Sequence, residues 1–219
     1  MILVLLGPPG AGKGTQAKKI EAEFGTPHIS TGDLFRSALK DDTELGKSVK
    51  SYLESGQLVP DDVTTAVLAH RLAQPDCAKG AMLDGFPRTL GQAEALDRLL
   101  SERKRNLDAV LYFDVTDETA IERLSGRRMC KQCGANYHLK FMPPHDPSKC
   151  DQCGAELYQR SDDQPETIHR RLKVYATQTA ALVEEYERRG LLKRIDANGA
   201  PEEISAAIAG TLRPIAVGE

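Results

Sequence analysis

Residues 2–15 have the sequence ILVLLGPPGAGKGT, in which an apolar run is followed by a glycine-rich turn. Five apolar residues without alternation predict a strand that is buried on both faces, as in a parallel sheet. The residues from Lys13 to Phe24 favour a helix, because apolar residues recur there at helical spacing. A strand, a glycine-rich loop and a helix in this order are the context in which such a loop binds phosphate.

The glycine-rich loop itself has the chemistry of a phosphate site. Its glycines let successive backbone N–H groups point towards one anion, and the positive end of the following helix adds attraction. Lys13 supplies a mobile positive charge. Gly-Pro clusters also end many strands that bind nothing, but these glycines together with a lysine and a threonine favour a nucleotide phosphate site. The general P-loop pattern has Ser or Thr directly after the lysine, whereas here Gly14 intervenes and Thr15 carries the hydroxyl.

The composition is that of a folded domain without a general affinity for polyanions. The chain has 219 residues, of which 28% are charged and 40% hydrophobic, and its net charge is −3. This length predicts one main domain with insertions. The negative charge argues against a nucleic-acid-binding or anionic-membrane-binding surface. Because the predicted strand begins at once and no apolar run is long enough to span a membrane, we expect no signal peptide and a cytoplasmic location.

Four further strands are predicted, and helical patterns separate them. They lie at residues 27–30, 81–84, 109–115 and 191–195. Strands that alternate with helices around a phosphate loop predict a three-layer α/β fold with a mostly parallel sheet. Between the second and third strands, residues 30–59 carry two short helical patterns and are expected to form a small helical insertion.

Two helix starts are predicted from capping patterns. Thr31 is a good N-cap for the helix after the second strand. Asp163, with Pro165 and Glu166 after it, is typical of a helix start, and the pattern that follows predicts one long helix ending at Gly190.

A carboxylate, Asp84, ends the predicted strand at residues 81–84. An acidic residue at the end of a parallel strand beside a phosphate loop is where Mg²⁺ is commonly held, directly or through water. The alternative is an aspartate that caps the next helix. Asp84 is therefore our candidate for the magnesium site.

Residues 129–159 contain two cysteine pairs at metal-ligand spacing. Four soft ligands on two turns suit a tetrahedral Zn²⁺, and with no position left for water the site is expected to be structural. Two disulfides are the competing interpretation, which the expected cytoplasmic location disfavours. His138 and His145 lie nearby but exceed a complete set of four, and Cys77 is expected to be a buried thiol. The predicted ligands are Cys130, Cys133, Cys150 and Cys153.

Several longer motifs resemble those of the adenylate kinase family of nucleoside monophosphate kinases. They are GPPGAGKGT, STGDLFR, LDGFPRTLGQAEAL, IERLSGRR and YQRSDDQPETIHRRL, and the resemblance extends from residue 1 to about 200. The four-cysteine segment resembles the zinc-carrying lid of the long-type bacterial enzymes. The resemblance implies a P-loop NTPase-type fold with a parallel five-stranded sheet flanked by helices. It divides the chain into a core (1–29, 60–126 and 164–219), an NMP-binding insertion (30–59) and a lid (127–163).

The resemblance also implies an activity. The family carries out reversible, Mg²⁺-dependent, in-line phosphoryl transfer, ATP + AMP = 2 ADP, which balances cellular adenine nucleotides. Its members with this architecture are usually monomers, and no nucleic acid or membrane partner is implied. The cofactors implied are Mg²⁺ with ATP and a structural Zn²⁺ in the lid.

Site residues are carried over by motif. Asp162 and Asp163 would help to hold the lid. Implied ATP contacts are Gly10, Ala11, Gly12, Lys13, Gly14, Thr15, Arg123, Arg127, Asn136, Tyr137 and Gly199. Implied AMP contacts are Thr31, Arg36, Gln57, Val59, Gly85, Arg88, Gln92, Arg160 and Arg171. Implied catalytic residues are Lys13, Arg88, Arg123, Arg127, Arg160 and Arg171.

The sequence leaves two alternative functions open. One is a kinase for UMP, CMP or GMP, which Thr31 and Gln92 disfavour because the resemblance makes them adenine-type choices. The other is a nucleic-acid-binding protein that uses the cysteines as a zinc ribbon and the P-loop as a switch. It requires a basic surface with aromatic residues around the cysteines, but the Lys and Arg between Met129 and Asp163 are matched by Asp and Glu.

Overall fold

The structure, a computed structural model, describes residues 1–217. Strands and helices alternate along most of the chain. The strands are β1 (Ile2–Leu6), β2 (His28–Ser30), β3 (Ala81–Asp84), β4 (Ala109–Asp114), β5 (Arg127–Cys130), β6 (Asn136–His138), β7 (Leu157–Tyr158) and β8 (Leu192–Asp196). The α-helices are α1 (Lys13–Phe24), α2 (Thr31–Lys40), α3 (Glu44–Ser55), α4 (Asp61–Leu72), α5 (Leu90–Glu102), α6 (Asp117–Ser125), α7 (Pro165–Val174), α8 (Ala181–Arg188) and α9 (Pro201–Val217).

Five strands form one parallel sheet in the order β2-β3-β1-β4-β8. Strand β1 is central, so that Leu3 is aligned with Met82 on one side and with Ala109 on the other. Helices pack against both faces, which gives the predicted three-layer α/β fold of the P-loop NTPase type.

The absence of alternation in β1 follows from this position. Val4 packs in the apolar cluster with α4, α5 and α8, whereas Leu3 packs in the cluster with α1 and α9 on the opposite face. Both side chains are fully buried. Burying such a side chain contributes about 1.5–3 kcal/mol, so both faces of the strand stabilise the fold.

The C-terminal ends of the five parallel strands lie at one edge of the sheet, and the glycine-rich loop begins there. The chain turns sharply after β1, and Gly7 has a φ of 146°. A Cβ at this position would lie 2.8 Å from the carbonyl oxygen of Phe113. Gly10 has a φ of 86°, and a Cβ there would lie 2.5 Å from the carbonyl oxygen of Ala120. These glycines allow the loop to pack closely against β4 and α6.

Two smaller units flank this end of the sheet. Helices α2 and α3 share a separate apolar cluster that includes Phe35, Val49 and Val59. Strands β5, β6 and β7 form an antiparallel sheet in the order β6-β5-β7. Around this small sheet, Tyr137 and Leu157 pack with two of the cysteines.

Both predicted helix starts were wrong in detail. The N-cap of α2 is Ser30, whose Oγ accepts a hydrogen bond from the Asp33 N–H at 3.2 Å. Thr31 is the first helical residue, and its buried hydroxyl donates to the Gly85 carbonyl oxygen at 3.0 Å. Helix α7 begins at Pro165 after Gln164. Asp163 lies in a preceding 3₁₀ turn, where its carboxylate accepts hydrogen bonds from arginine side chains rather than from the backbone N–H groups of the helix.

The predicted long helix ending at Gly190 is interrupted. A π-helical turn at Tyr175–Thr179 separates α7 from α8, and α8 ends at Arg188. The side chains of Val174, Tyr175 and Thr179 line the large cleft described below. Within residues 1–217, no helix is both long and apolar enough to cross a membrane.

Candidate active site

A large cleft opens where the parallel strands end. Its volume is about 1080 Å³, whereas a pocket for one small molecule has about 300–1,000 Å³. Its walls come from the glycine-rich loop, from α2 and α3, from the small antiparallel sheet, from the start of α5 and from the C-terminal half of α7. The cleft is thus slightly larger than the usual range for one ligand.

The glycine-rich loop folds around the Lys13 side chain. The Lys13 Nζ donates to the carbonyl oxygens of Gly7 at 2.6 Å and Pro8 at 2.8 Å. Burial lowers the pKa of Lys13 to about 8, while the charge of Asp84 acts in the opposite direction. An anion in the cleft would stabilise the charged ammonium, so this lysine is suited to phosphate.

Asp84 ends β3 beside the same loop. Its Oδ2 lies 3.4 Å from His28 Nε2. Burial alone would raise the pKa of Asp84, but hydrogen bonding from His28 and the charge of Lys13 outweigh it and hold the pKa below its usual value. The carboxylate is thus ionised at neutral pH, and its position beside the phosphate loop fits the oxygen-ligand chemistry of Mg²⁺.

Arginines from separate parts of the chain converge on the cleft. Burial, followed by the charge of Arg171, lowers the pKa of Arg88 to about 10. Burial, followed by the charges of Arg127 and Arg36, lowers the pKa of Arg160 to about 9. Such mutual repulsion is relieved when an anion binds among the guanidinium groups. The cleft-lining arginines are Arg36, Arg88, Arg123, Arg127, Arg160 and Arg171.

Three aspartates hold some of these arginines in place. Asp163 is fully buried and accepts hydrogen bonds from Arg127 and Arg171. Asp162 lies 3.2 Å from the Arg171 Nη1.

The third aspartate, Asp33, belongs to α2 and was not predicted from the sequence to be a site residue. Its Oδ1 lies 2.5 Å from Arg36 Nη2 and 3.4 Å from Arg160 Nη2. It therefore connects the helical insertion to the segment that follows β7.

One end of the cleft lies between α2 and α5. Gln92 is buried there, and its amide oxygen accepts from the Arg88 N–H at 2.8 Å. The Arg88 Nε donates to the Gly85 carbonyl oxygen at 2.9 Å. Thr31, Gln57 and Val59 line the same cleft. The structure brings these sequence-predicted residues together.

The other end lies between α6, β6 and the loop before α9. Arg123 donates to the carbonyl oxygens of Ala197 at 2.7 Å and Gly199 at 3.3 Å. Asn136 Oδ1 is buried and has no hydrogen-bond partner among residues 1–217. The hydroxyl of Tyr137 is directed at the cysteine cluster instead, 3.4 Å from Cys150 Sγ.

The four predicted cysteines form one cluster. Their sulfur atoms all lie within 4.8 Å of one another, and a regular ZnS₄ tetrahedron with bonds of about 2.3 Å has sulfurs about 3.8 Å apart. All five cysteines of the chain are free thiols, which contradicts the disulfide alternative. His138 and His145 are not part of the cluster: His138 Nε2 lies 3.2 Å from the Glu122 carbonyl oxygen, and His145 pairs with Asp151 at 3.1 Å. The donor set fits a structural zinc ion.

The chain matches a known family along most of its length. Residues 5–191 match the family model described as Adenylate kinase. An adenylate kinase from Carboxydothermus hydrogenoformans is 56% identical over 213 residues, which cover 97% of this chain and 100% of that protein. The adenylate kinase of Moorella thermoacetica is 54% identical over 212 residues, covering 97% and 98%. That of Symbiobacterium thermophilum is 51% identical over 213 residues, covering 97% and 99%.

These matches agree with a cleft that combines a phosphate-binding loop with converging arginines. The matches are to adenylate kinases, and neither a zinc-ribbon protein nor a kinase of another monophosphate is the family that they indicate. The chain belongs to the adenylate kinase family and is an ATP:AMP phosphotransferase that acts on Mg²⁺-bound ATP and on AMP.

Proposed function

We propose that ATP and AMP occupy opposite ends of the one cleft, so that the γ-phosphoryl group of ATP passes directly to AMP between them. The observation that carries this proposal is the convergence of arginines from α2, the loop before α5, α6, β5, the segment after β7 and α7 on the space beside Lys13. ATP would lie along residues 10–15, with AMP between α2 and α5.

The arginines would stabilise the negative charge of the phosphate groups. ATP and AMP carry phosphate oxygens that repel one another, and the transferring group remains negatively charged in the transition state. Lys13, Arg88, Arg127, Arg160 and Arg171 would offset that charge and align the two nucleotides. No general base is needed, because the phosphate of AMP is already an anionic nucleophile.

The ATP base is assigned to the end that contains Arg123 and Gly199. Arg123 is held by backbone carbonyl oxygens there, which leaves its planar guanidinium positioned beside the cleft. The unpartnered Asn136 Oδ1 supports a contact with this nucleotide, since a buried acceptor is costly without a donor. Tyr137 is assigned a contact through its ring or backbone rather than its hydroxyl.

The AMP base is assigned to Thr31 and Gln92, with Gly85, Gln57 and Val59 beside it. The AMP phosphate is assigned to Arg36, Arg88, Arg160 and Arg171. Asp84 would hold Mg²⁺, through water, and the ion would supply positive charge to the ATP phosphates.

We propose that residues 127–163 act as a lid and residues 30–59 as the AMP-binding unit on a core of residues 1–29, 60–126 and 164–219. Closure of a lid excludes water, which would otherwise accept the phosphoryl group. A segment of this size has too little apolar material to fold alone, so zinc at the four cysteines would supply its stability.

A cytoplasmic monomer is also proposed. Free cysteines that serve as metal ligands suit a reducing compartment. The cleft is assembled from one chain, so no second copy is required to complete it.

The test is ADP formation from Mg·ATP with AMP, compared with UMP, CMP and GMP at equal concentration. Strong turnover with AMP, lost in Lys13→Ala and Arg88→Ala, is the expected result. Turnover with another monophosphate at the same rate would overturn the roles of Thr31 and Gln92. Activity retained in both variants would overturn the assignment of the transfer site.

A further inference from the structure

Asp61, the first residue of α4, joins that helix to the start of α5. Its Oδ1 accepts a hydrogen bond from Gln92 Nε2 at 2.7 Å. Its Oδ2 accepts one from the Thr89 hydroxyl at 2.7 Å. Thr89 is the N-cap of α5, and its oxygen accepts from the Gln92 N–H at 3.1 Å. The sequence gives no sign of this contact, because Asp61 and Gln92 are 31 residues apart.

The Gln92 amide is held at both of its ends. Its Nε2 donates to the Asp61 carboxylate, and its Oε1 accepts from the Arg88 N–H at 2.8 Å. An ionised carboxylate only accepts hydrogen bonds, and a backbone N–H only donates them. A flipped amide would place oxygen against carboxylate and N–H against N–H. The two neighbours therefore permit one orientation of Gln92.

After these two bonds, Gln92 retains one N–H and one lone pair of Oε1. They form an adjacent donor and acceptor in a fixed order on a side chain that lines the cleft. Adenine offers a matching pair, since its N1 accepts and its 6-amino group donates. A 6-oxopurine offers the reverse, with N1–H as donor and the 6-oxo group as acceptor. Only a flipped amide would match it.

We propose that Asp61 is a positioning residue for base selection at the monophosphate site. By fixing the orientation of the Gln92 amide, it favours adenine over 6-oxopurines. This inference rests on the proposed function in one respect, namely that Gln92 faces the base of AMP.

The test compares AMP with IMP, whose base differs from adenine only at this edge. In Asp61→Ala we expect KM for AMP to rise about tenfold and the AMP-over-IMP preference in kcat/KM to fall about tenfold, because one of the two contacts that fix the amide orientation is lost. KM for ATP and kcat with saturating AMP should change little. Asp61 is exposed, so the alanine variant should fold, and Asp61→Ser repeats the test if it does not.

Three matched variants separate orientation from mere support of the helix. Asp61→Asn keeps an oxygen acceptor for Gln92 and should retain most of the preference. Thr89→Val removes the other contact of Asp61 and the cap of α5, so it should lower the melting temperature but leave the preference. In a Gln92→Leu background, Asp61→Ala should cause no further loss of preference, since there is no amide left to orient.

The outcomes distinguish this inference from the function on which it rests. If Gln92→Leu leaves both KM for AMP and the preference at the parent values, then the adenine role of Gln92 fails and the role of Asp61 fails with it. If Gln92→Leu lowers the preference but Asp61→Ala does not, or if the two losses add, the adenine role stands and the Asp61 proposal is overturned. A loss in Thr89→Val equal to that in Asp61→Ala would also overturn it.

Discussion

The guanidinium of Arg127 forms a bidentate pair with the buried carboxylate of Asp163, donating from Nε at 2.8 Å and from Nη2 at 2.6 Å. The same carboxylate accepts from Arg171 Nη1 at 3.1 Å. Two arginines of the proposed transfer site are thus oriented by one residue that is itself excluded from solvent.

Replacing Asp163 by Asn should destabilise the protein strongly. The change removes the charge opposite two guanidinium groups, and breaking a buried pair in this way costs about 3–5 kcal/mol. Denaturant unfolding measures the difference. Glu156→Gln is the control: the exposed pair of Glu156 with Lys131 has a similar distance, 2.7 Å, but should contribute less than about 1 kcal/mol. Equal losses in the two variants would contradict the account.

The Arg127–Asp163 pair also shows where the sequence was insufficient. Asp163, Pro165 and Glu166 match a helix-start pattern, yet the two arginines take the carboxylate, and one of them lies 36 residues away. A local pattern contains no information about such a partner.

The features that the sequence predicted correctly depend on residues that are close together in the chain. The apolar run of β1, the glycines after it and the start of α1 are adjacent, and together they form one strand-loop-helix unit. The cysteine pairs likewise carry their own turns, with Gly134 at a φ of 69° and Gly154 at 72°. Ser30 and Thr31 are adjacent, and either hydroxyl could cap α2. The sequence does not distinguish them, so Thr31 was predicted where the structure has Ser30. The π-helical turn at Tyr175 left no trace in the apolar spacing.

ATP binding should weaken as pH rises above 8. In the nucleotide-free protein, burial places the pKa of Lys13 at about 8, below its usual 10.5. Bound phosphates favour the charged ammonium and raise the pKa again, so binding takes up a proton between these values. Affinity is therefore full below pH 8 and falls as pH rises through the free-state value.

The corresponding measurement is kcat/KM for ATP between pH 7 and 9.5, together with proton uptake by calorimetry in buffers of different ionisation enthalpy. Lys13→Met should bind ATP weakly and without this pH dependence. A parent profile that is flat to pH 9.5, or one that rises, would show that Lys13 is not the titrating contact.

Replacing Cys130 by Ser should lower the melting temperature far more than it lowers turnover at room temperature. Loss of one thiolate weakens the metal cluster and hence the folding of the lid, whereas the phosphate loop and the arginines remain. Thermal unfolding with and without a chelator provides the measurement. Cys77→Ala, at the buried thiol outside the cluster, should leave zinc content unchanged. Similar melting temperatures for Cys130→Ser and the parent, with and without chelator, would refute a structural metal.

Gly10→Ala and Gly25→Ala should differ, although both positions have a positive φ. A Cβ at Gly10 would lie 2.5 Å from the Ala120 carbonyl oxygen, whereas at Gly25 nothing lies within 4 Å. The alanine at Gly25 should cost only the backbone strain of about 1 kcal/mol. The one at Gly10 must also displace α6 from the loop, so it should cost more stability and raise KM for ATP. Equal effects in unfolding and kinetics would show that the close approach is unimportant.

We attribute the phosphoryl transfer to the charges that converge on one cleft. The most direct test of this claim is the rate of ADP formation from saturating Mg·ATP and AMP in Arg88→Ala and in Arg98→Ala. Arg98 is exposed on α5 and lies outside the cleft. We expect Arg88→Ala to lower kcat by about 10² to 10³, as for loss of a transition-state contact, and Arg98→Ala to match the parent. Equal rates for Arg88→Ala and the parent at saturation, or equal losses in the two variants, would contradict the claim.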